Sequence, residues 1–434
     1  WGVVTVLPLV IPSYVAGFIV VVALGPRGML QQLLDGPFGV ERLPDIYGFP
    51  GATVTLAFLT YPYVLIPVRA ALARLDPSLE EISRGMGYRP WTTFRRVTLP
   101  LLRPAIAAGA LLVALYTLSD FGAVSLLRYE TFTWAIFIQY GALDRTLAAS
   151  LSLVLLVLAV GILVLEALTR GRASYYRPDS GVARPPSLVR LGWWRWPALT
   201  LCGSVVLLSL VLPISVLGYW VFRGVASGEP LLLLWGAARN SLYVSALAAV
   251  VAVAAALPVA TLTVRYRGLL TGLLERVTYV GFALPGIVIA LALVFFGANY
   301  ATPLYQTMGL LLLAYGILFL PAAVGAVRTS LLQASPRLEE AARSLGRTPL
   351  QVFISITLPV VRPGILAGAS LVFLLTMKEL PATLILSPIG FKTLATSIWG
   401  AATEAFFAQA AAPALLLILA SSVPLAILIL WERR

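Results

Sequence analysis

Hydrophobic positions fall in long, nearly unbroken runs near 3–24, 52–70, 105–127, 147–168, 197–222, 239–264, 277–297, 308–327, 364–387 and 410–431. A helix rising about 1.5 Å per residue needs roughly 20 apolar residues to cross roughly 30 Å of hydrocarbon. Ten membrane-spanning helices are therefore predicted. Inside the bilayer the backbone finds no water to bond, so spans this long and this apolar satisfy their amides internally, as helices. Membrane strands would be about half as long and would alternate. The fold class is an all-α polytopic membrane protein.

The polar segments between the runs contain a duplication. The first copy reads Pro77-Ser-Leu-Glu-Glu-Ile-Ser-Arg-Gly-Met-Gly87 and continues to Thr98-Leu-Pro-Leu-Leu-Arg-Pro104. The second reads Pro336-Arg-Leu-Glu-Glu-Ala-Ala-Arg-Ser-Leu-Gly346 and continues to Thr357-Leu-Pro-Val-Val-Arg-Pro363. Gly87 and Gly346 lie 259 residues apart, and so do Pro104 and Pro363, so the copies align without a gap. The same register pairs Ala108-Gly109-Ala110 with Ala367-Gly368-Ala369, Thr117 with Thr376, Pro62 with Pro321 and Val68-Arg69 with Val327-Arg328. Further upstream Leu7-Pro8 is matched with Leu284-Pro285, the difference being absorbed by the longer loop at 25–50. Both copies lie on the same side, so the halves are parallel repeats. The runs at 197–222 and 239–264 have no counterpart ahead of Trp1. The expectation is a fused pair of six-helix halves, 1–168 and 197–434, the first without its first two helices in this numbering, joined by a connector at 169–196.

Composition agrees with the pattern: 60% of residues are hydrophobic and 11% charged, more apolar surface than one soluble core buries. Basic residues set the orientation. Arg170, Arg172, Arg177, Arg184, Arg190 and Arg195 crowd the connector, and Arg89, Arg95, Arg96 and Arg103 the first duplicated loop, whereas 298–307 carries no charge. Short cytoplasmic loops hold the excess of Arg and Lys, which puts the duplicated loops, the connector, the 265–276 loop and Glu432-Arg433-Arg434 inside. The net charge of +13 sits in juxtamembrane loops and points to anionic headgroups, not to a nucleic-acid face. Trp193, Trp194 and Trp196 read as interface anchors.

Whole classes of chemistry drop out. The chain has no His and one Cys, Cys202 within a span, which leaves no imidazole base, His-ligated metal site, disulfide or thiolate cluster. Its two lysines, Lys378 and Lys392, follow Met and Phe, so there is no Gly-Lys-Ser/Thr phosphate loop.

Each duplicated loop predicts a helix, a glycine turn and a second helix. Asp76-Pro77 and Ser335-Pro336 supply an N-cap followed by proline at the first helical position. Glu80 and Arg84, and Glu339 and Arg343, are spaced for i,i+4 pairs with the acid in the favourable N-terminal place. Gly87 and Gly346 suit a left-handed stop, and Pro90 and Pro349 open a second short helix ending near Thr-Leu-Pro. Such a rigid knob under the membrane fits a partner's groove. A single Glu-Glu-x-x-Arg would be a solvated face; two in register on one side favour docking.

These segments, with the Leu-Pro at 99–100 and 358–359, resemble the EAA signature of binding-protein-dependent ABC importer permeases; the first copy departs from it with Ile82-Ser83 where the second has Ala341-Ala342. The resemblance spans essentially the whole chain. It implies that Glu80, Glu81, Arg84 and Gly87, and Glu339, Glu340, Arg343 and Gly346, belong to coupling helices that dock on two copies of an ATP-binding subunit. It also implies a periplasmic or lipid-anchored binding protein that delivers the substrate, and a multi-pass location in the bacterial inner membrane. ATP and Mg would reside on the partner subunits, with no cofactor and no catalytic residue on this chain. Ser119-Asp120-Phe121-Gly122-Ala123, Met377-Lys378-Glu379-Leu380-Pro381-Ala382-Thr383-Leu384, Thr131-Phe132-Thr133 and Gly390-Phe391-Lys392-Thr393-Leu394-Ala395-Thr396 are similar to fused ferric-iron permeases. Thiamine and polyamine permeases share much of this pattern.

Asp120 and Glu379 align at the 259 spacing, one acid in the outer part of a span in each half. An ionisable group there usually faces a polar cavity or a partner. Ser119, Asp120, Lys378 and Glu379 are the candidate substrate path, with the two carboxylates as transient ligands for a hard cation. Alternatively Glu379 pairs with Lys378 or a loop cation, and Asp120 is a helix-end residue contacting Ser119 or backbone. Prolines inside spans, such as Pro8, Pro12, Pro62, Pro285 and Pro321, are candidate bends lining the path. An ion-coupled secondary transporter with parallel repeats is the rival class; it gives no reason for a duplicated knob.

Overall fold

A computed structural model describes residues 1–73, 75–169, 191–228, 233–266 and 268–432. Most of the connector, with Arg170, Arg172, Arg177, Arg184 and Arg190, lies outside the described residues, as do Arg433 and Arg434. Among the described residues every regular element is helical. The first half comprises α1 (Ser13–Leu24), α2 (Met29–Phe38), α3 (Phe49–Ala73), α4 (Pro77–Gly85), α5 (Pro90–Ser119), α6 (Gly122–Leu126), α7 (Phe132–Gly141) and α8 (Arg145–Thr169). The second comprises α9 (Gly192–Ala226), α10 (Leu233–Arg265), α11 (Leu269–Ala283), α12 (Gly286–Asn299), α13 (Met308–Gln333), α14 (Pro336–Ser344), α15 (Pro349–Lys378), α16 (Pro381–Leu386), α17 (Leu394–Thr403) and α18 (Phe407–Glu432). Among the described residues nine helical segments are long and apolar enough to cross a membrane, or ten if the bent pair α11–α12 is one span.

Three differences from the expected spans matter, and each has a local cause. The run at 3–24 is not one helix: a 3₁₀ turn at Leu7–Val10 ends in extended Ile11 and Pro12, and α1 starts afresh at Ser13. The run at 277–297 breaks in the same way, with Pro285 extended ahead of α12. The structural partner of Pro285 is therefore Pro12, each capping the half-helix that follows, and the matching of Leu7-Pro8 with Leu284-Pro285 is corrected by four residues. The runs at 105–127 and 364–387 are also broken, because Asp120 (ψ 131°) and Glu379 (ψ 123°) turn the chain out of the helix before α6 and α16 begin.

The second short helix opened by Pro90 or Pro349 does not end near Thr-Leu-Pro. It runs on through one π turn, Phe94–Thr98 or Phe353–Thr357, into the span. Pro100 and Pro359 lack the N–H that an unbroken α ladder needs, and the wider turn before them, with the Leu99 and Leu358 amides reaching Phe94 and Phe353, absorbs the defect.

Helix pairs α3–α5 and α13–α15 are the packing units of the two halves. Their contact explains the repeated Ala-Gly-Ala. A Cβ on Gly109 would lie 2.6 Å from Val64 Cα, and one on Gly368 3.3 Å from Ala323 Cα, so the backbones meet where a side chain would separate them. One core cluster joins the halves, combining Tyr14, Phe18, Phe121 and Ile136 with Ile287, Met377, Leu380 and Ile398.

Candidate functional site

Two regions carry the predicted functional residues. The first is the pair of short helices α4 and α14. Gly87 (φ 84°) and Gly346 (φ 80°) take the left-handed conformation that closes each helix. The Gly87 and Gly346 amides bond Arg84 and Arg343 at 2.9 Å, and the next amides, of Tyr88 and Arg347, reach back to Ser83 and Ala342 at 3.3 and 3.2 Å. This double closure is the glycine stop read from the sequence. Asp76 caps α4 by accepting from the Ser78 amide at 2.9 Å, whereas Ser335 makes no side-chain cap on α14.

The acids at the first position do not point outward to a partner. Glu80 accepts from the Thr98 hydroxyl at 2.7 Å, and Glu339 from the Thr357 hydroxyl at 3.1 Å. Each bond ties the short helix to the base of the span after it, at the same spacing in both halves. Glu80 also meets Arg84 at 3.5 Å, as the i,i+4 spacing predicts. Glu339 departs from the expectation: it pairs with Arg265 at the end of α10, 3.0 Å away, not with Arg343. The difference in shielding decides their weight. Arg265 and Glu339 are 14% and 15% exposed, against 55% and 40% for Arg84 and Glu80, so the inter-helix pair is the less screened.

Glu81, Glu340, Arg84 and Arg343 remain exposed. Beside them stand apolar residues that charge-based reading missed: Leu79, Ile82, Met86 and Trp91 on the first copy, Leu338, Leu345 and Leu350 on the second, all exposed. The signal was in the sequence, as apolar positions inside a loop otherwise too polar to be buried.

The second region is a cavity of about 240 Å³ between the halves. It gathers all four path candidates: Ser119 and Asp120 from the first half, Lys378 and Glu379 from the second. Four helix starts surround it, because Ser13 and Gly122 open α1 and α6, while Gly286 and Pro381 open α12 and α16. The chain breaks are what bring the acids here. Asp120 Oδ1 accepts from the Ala123 amide at 3.0 Å and Glu379 Oε1 from the Ala382 amide at 3.1 Å, the same cap three residues on in each half. Thr133 donates to the Asp120 carbonyl at 2.6 Å and Thr383 to the Glu379 carbonyl at 2.7 Å, satisfying backbone that the breaks expose.

Lys378 and Glu379 do not pair. The ammonium donates across the half boundary to the Leu9 carbonyl at 2.8 Å. The reading of Asp120 as a helix-end residue bonding backbone describes part of its contacts: its side chain also bonds the Ser13 hydroxyl at the start of α1, and it lines the cavity. Sequence reading also missed Tyr14, Tyr63 and Tyr116, which line the first-half side alone. Among the described residues no three His, Cys, Asp or Glu side chains cluster as a metal site, so any metal here would meet two carboxylates and phenols in passing. Phe121, Phe137 and Trp399 form a ring cluster across the boundary, with centroids 4.9–5.9 Å apart.

Two broken spans per half around a shared cavity, with a duplicated helix–turn–helix beneath, define a membrane transport subunit. The chain belongs to the family of binding-protein-dependent transport system inner membrane components, which matches residues 2–171 and 248–434, one stretch in each half. It is 39% identical, over 97% of its length and 80% of the relative's, to the Fe(3+)-transport system permease protein FbpB 2 of Haemophilus influenzae. It is 27% identical to the ferric transport system permease protein FbpB of Actinobacillus pleuropneumoniae, over 88% of this chain and 58% of that one. A shorter stretch, 27% of the chain, is 34% identical to the molybdenum transport system permease protein ModB of Escherichia coli, covering 50% of it.

Proposed function

We propose that this chain is the permease subunit of an ATP-driven importer in the bacterial inner membrane, and that its cargo is ferric iron. Asp120 and Glu379, facing one inter-half cavity from matched positions, are the observation that carries the reading. A hard trivalent cation prefers oxygen ligands, and two carboxylates with neighbouring phenols supply them without a closed cage that would trap it. Two relatives matched over most of this chain have names that specify ferric transport, which supports the same cargo.

A binding protein would deliver the ion on the side of Phe121, Phe137 and Trp399. Two copies of an ATP-binding subunit would dock on α4 and α14 in the cytoplasm, with ATP and Mg bound there and not on this chain. In this reading Glu81, Glu340, Arg84, Arg343 and the apolar residues beside them make the contact. Glu80 and Glu339 act one step further in, holding the knob to the span so that motion of one moves the other. Gly87 and Gly346 fix the angle of the knob.

Growth on ferric iron as sole iron source, with and without this chain, tests the cargo. Loss of growth restored by the gene is expected. Equal growth, with uptake of thiamine or a polyamine lost instead, would reassign the cavity to an organic cation held against the tyrosine faces.

A further inference from the structure

Lys378 ends α15 at the inter-half cavity, and among the described residues its ammonium forms no ion pair. Its hydrogen bond goes to Leu9, in the other half. That acceptor is open for a reason written in the sequence. Leu9 lies in the 3₁₀ turn Leu7–Val10, where a carbonyl is normally met by the N–H three residues on. For Leu9 that residue is Pro12, which has none. The position matched to Lys378 in the first half is Ser119, too short to cross. The link is therefore one-sided.

An ionisable group at the end of a spanning helix, held by a backbone acceptor and without an ion pair, is costly, and such groups usually mark the working part of a transporter. Lys378 also shares its cavity with both carboxylates. We propose that Lys378 is a latch across the halves: it holds the empty cavity closed, and a polyvalent cation seated on Asp120 and Glu379 releases it by repulsion. This rests on the cation-path reading above. Repulsion scales with the charge of the cargo and is strong where water is excluded, so a trivalent ion loosens the Leu9 bond far more than a monovalent one. Lys378 thereby determines which cations open the path, not merely how tightly they bind. A cargo with no differential interaction with the two states could not shift them, and the lysine supplies that difference.

The test uses the complete complex with its ATP-binding subunits in lipid. Lys378→Met keeps the length and removes the charge, and Lys378→Arg keeps both charge and donor. ATP hydrolysis without cargo is expected to rise at least about threefold in Lys378→Met, with little further stimulation by ferric-loaded binding protein; Lys378→Arg should stay within about twofold of the parent. If Lys378→Met accumulates poorly, Lys378→Gln carries the same expectation. As a second readout, Ser119→Cys in a Cys202→Ser background should label faster with a water-soluble thiol reagent when Lys378 is neutralised. Unchanged cargo-free hydrolysis together with unchanged labelling would overturn the latch and leave Lys378 as a charge complementing the end of α15. Cargo-free hydrolysis does not depend on what is carried, so a wrong cargo assignment would leave this arm intact.

Discussion

Replacing Gly87 and Gly346 by Ala isolates one physical effect. Neither position has a heavy atom within 4 Å of where a Cβ would stand, so the substitution introduces no clash. What it adds is backbone strain, since φ values of 84° and 80° cost an L-residue roughly 1–2 kcal/mol each. If the knob must keep its angle to dock, each subunit loses about 1–2 kcal/mol of docking energy at its own knob, roughly 5- to 30-fold in affinity. If the turn instead relaxes, the double closure onto Ser83 and Ala342 is lost and the apolar edge rotates away from the partner. Either way markedly less ATP-binding subunit should co-purify with detergent-extracted protein at micromolar concentration. Membrane level should hold, because both glycines lie outside the spans. Asn tolerates the left-handed region, so Gly87→Asn with Gly346→Asn should retain most docking. Undiminished co-purification of the Ala pair, or Asn behaving as Ala, would refute the reasoning.

Other perturbations grade the same picture. Glu339→Gln should destabilise the extracted protein by about 1–3 kcal/mol, because Arg265 is left as a shielded cation, whereas Glu80→Gln should cost only about 0–1 kcal/mol at its wetter pair; comparative thermal unfolding reads the order. Thr98→Val with Thr357→Val removes both ties between knob and span, and should lower transport per ATP hydrolysed while the ATP-binding subunit still binds. Gly109→Ala forces a Cβ to within 2.6 Å of backbone and should cost about 1–3 kcal/mol, Gly368→Ala less, and Gly161→Ala, with nothing within 4 Å, should be neutral or slightly stabilising.

Much of this was legible from the chain because the signals were local or duplicated. Apolar runs located the spans, and two copies in register located α4, α14 and their glycine stops. The breaks at Pro12, Asp120, Pro285 and Glu379 were hidden, because a run of apolar residues reads the same whether its helix is straight or interrupted. Prolines gave a hint at two of the four, but proline is common in membrane helices and decided little alone. Glu339 chose Arg265 over Arg343 for a reason local spacing cannot carry, since the partner arrives from 74 residues away on another helix. The cavity itself was half visible: matched acids suggested it, whereas Tyr14, Tyr63 and Tyr116 come from three separate helices and share no motif.

The most direct measurement is uptake of radiolabelled ferric iron by the complete complex carrying Asp120→Asn and Glu379→Gln. The amides keep size and can still accept the caps from Ala123 and Ala382, so folding, membrane level and docking of the ATP-binding subunit should stay near the parent's. Removing two negative charges from a low-dielectric passage should cut uptake at least about tenfold. Uptake equal to the parent's at equal expression would contradict the carboxylate path.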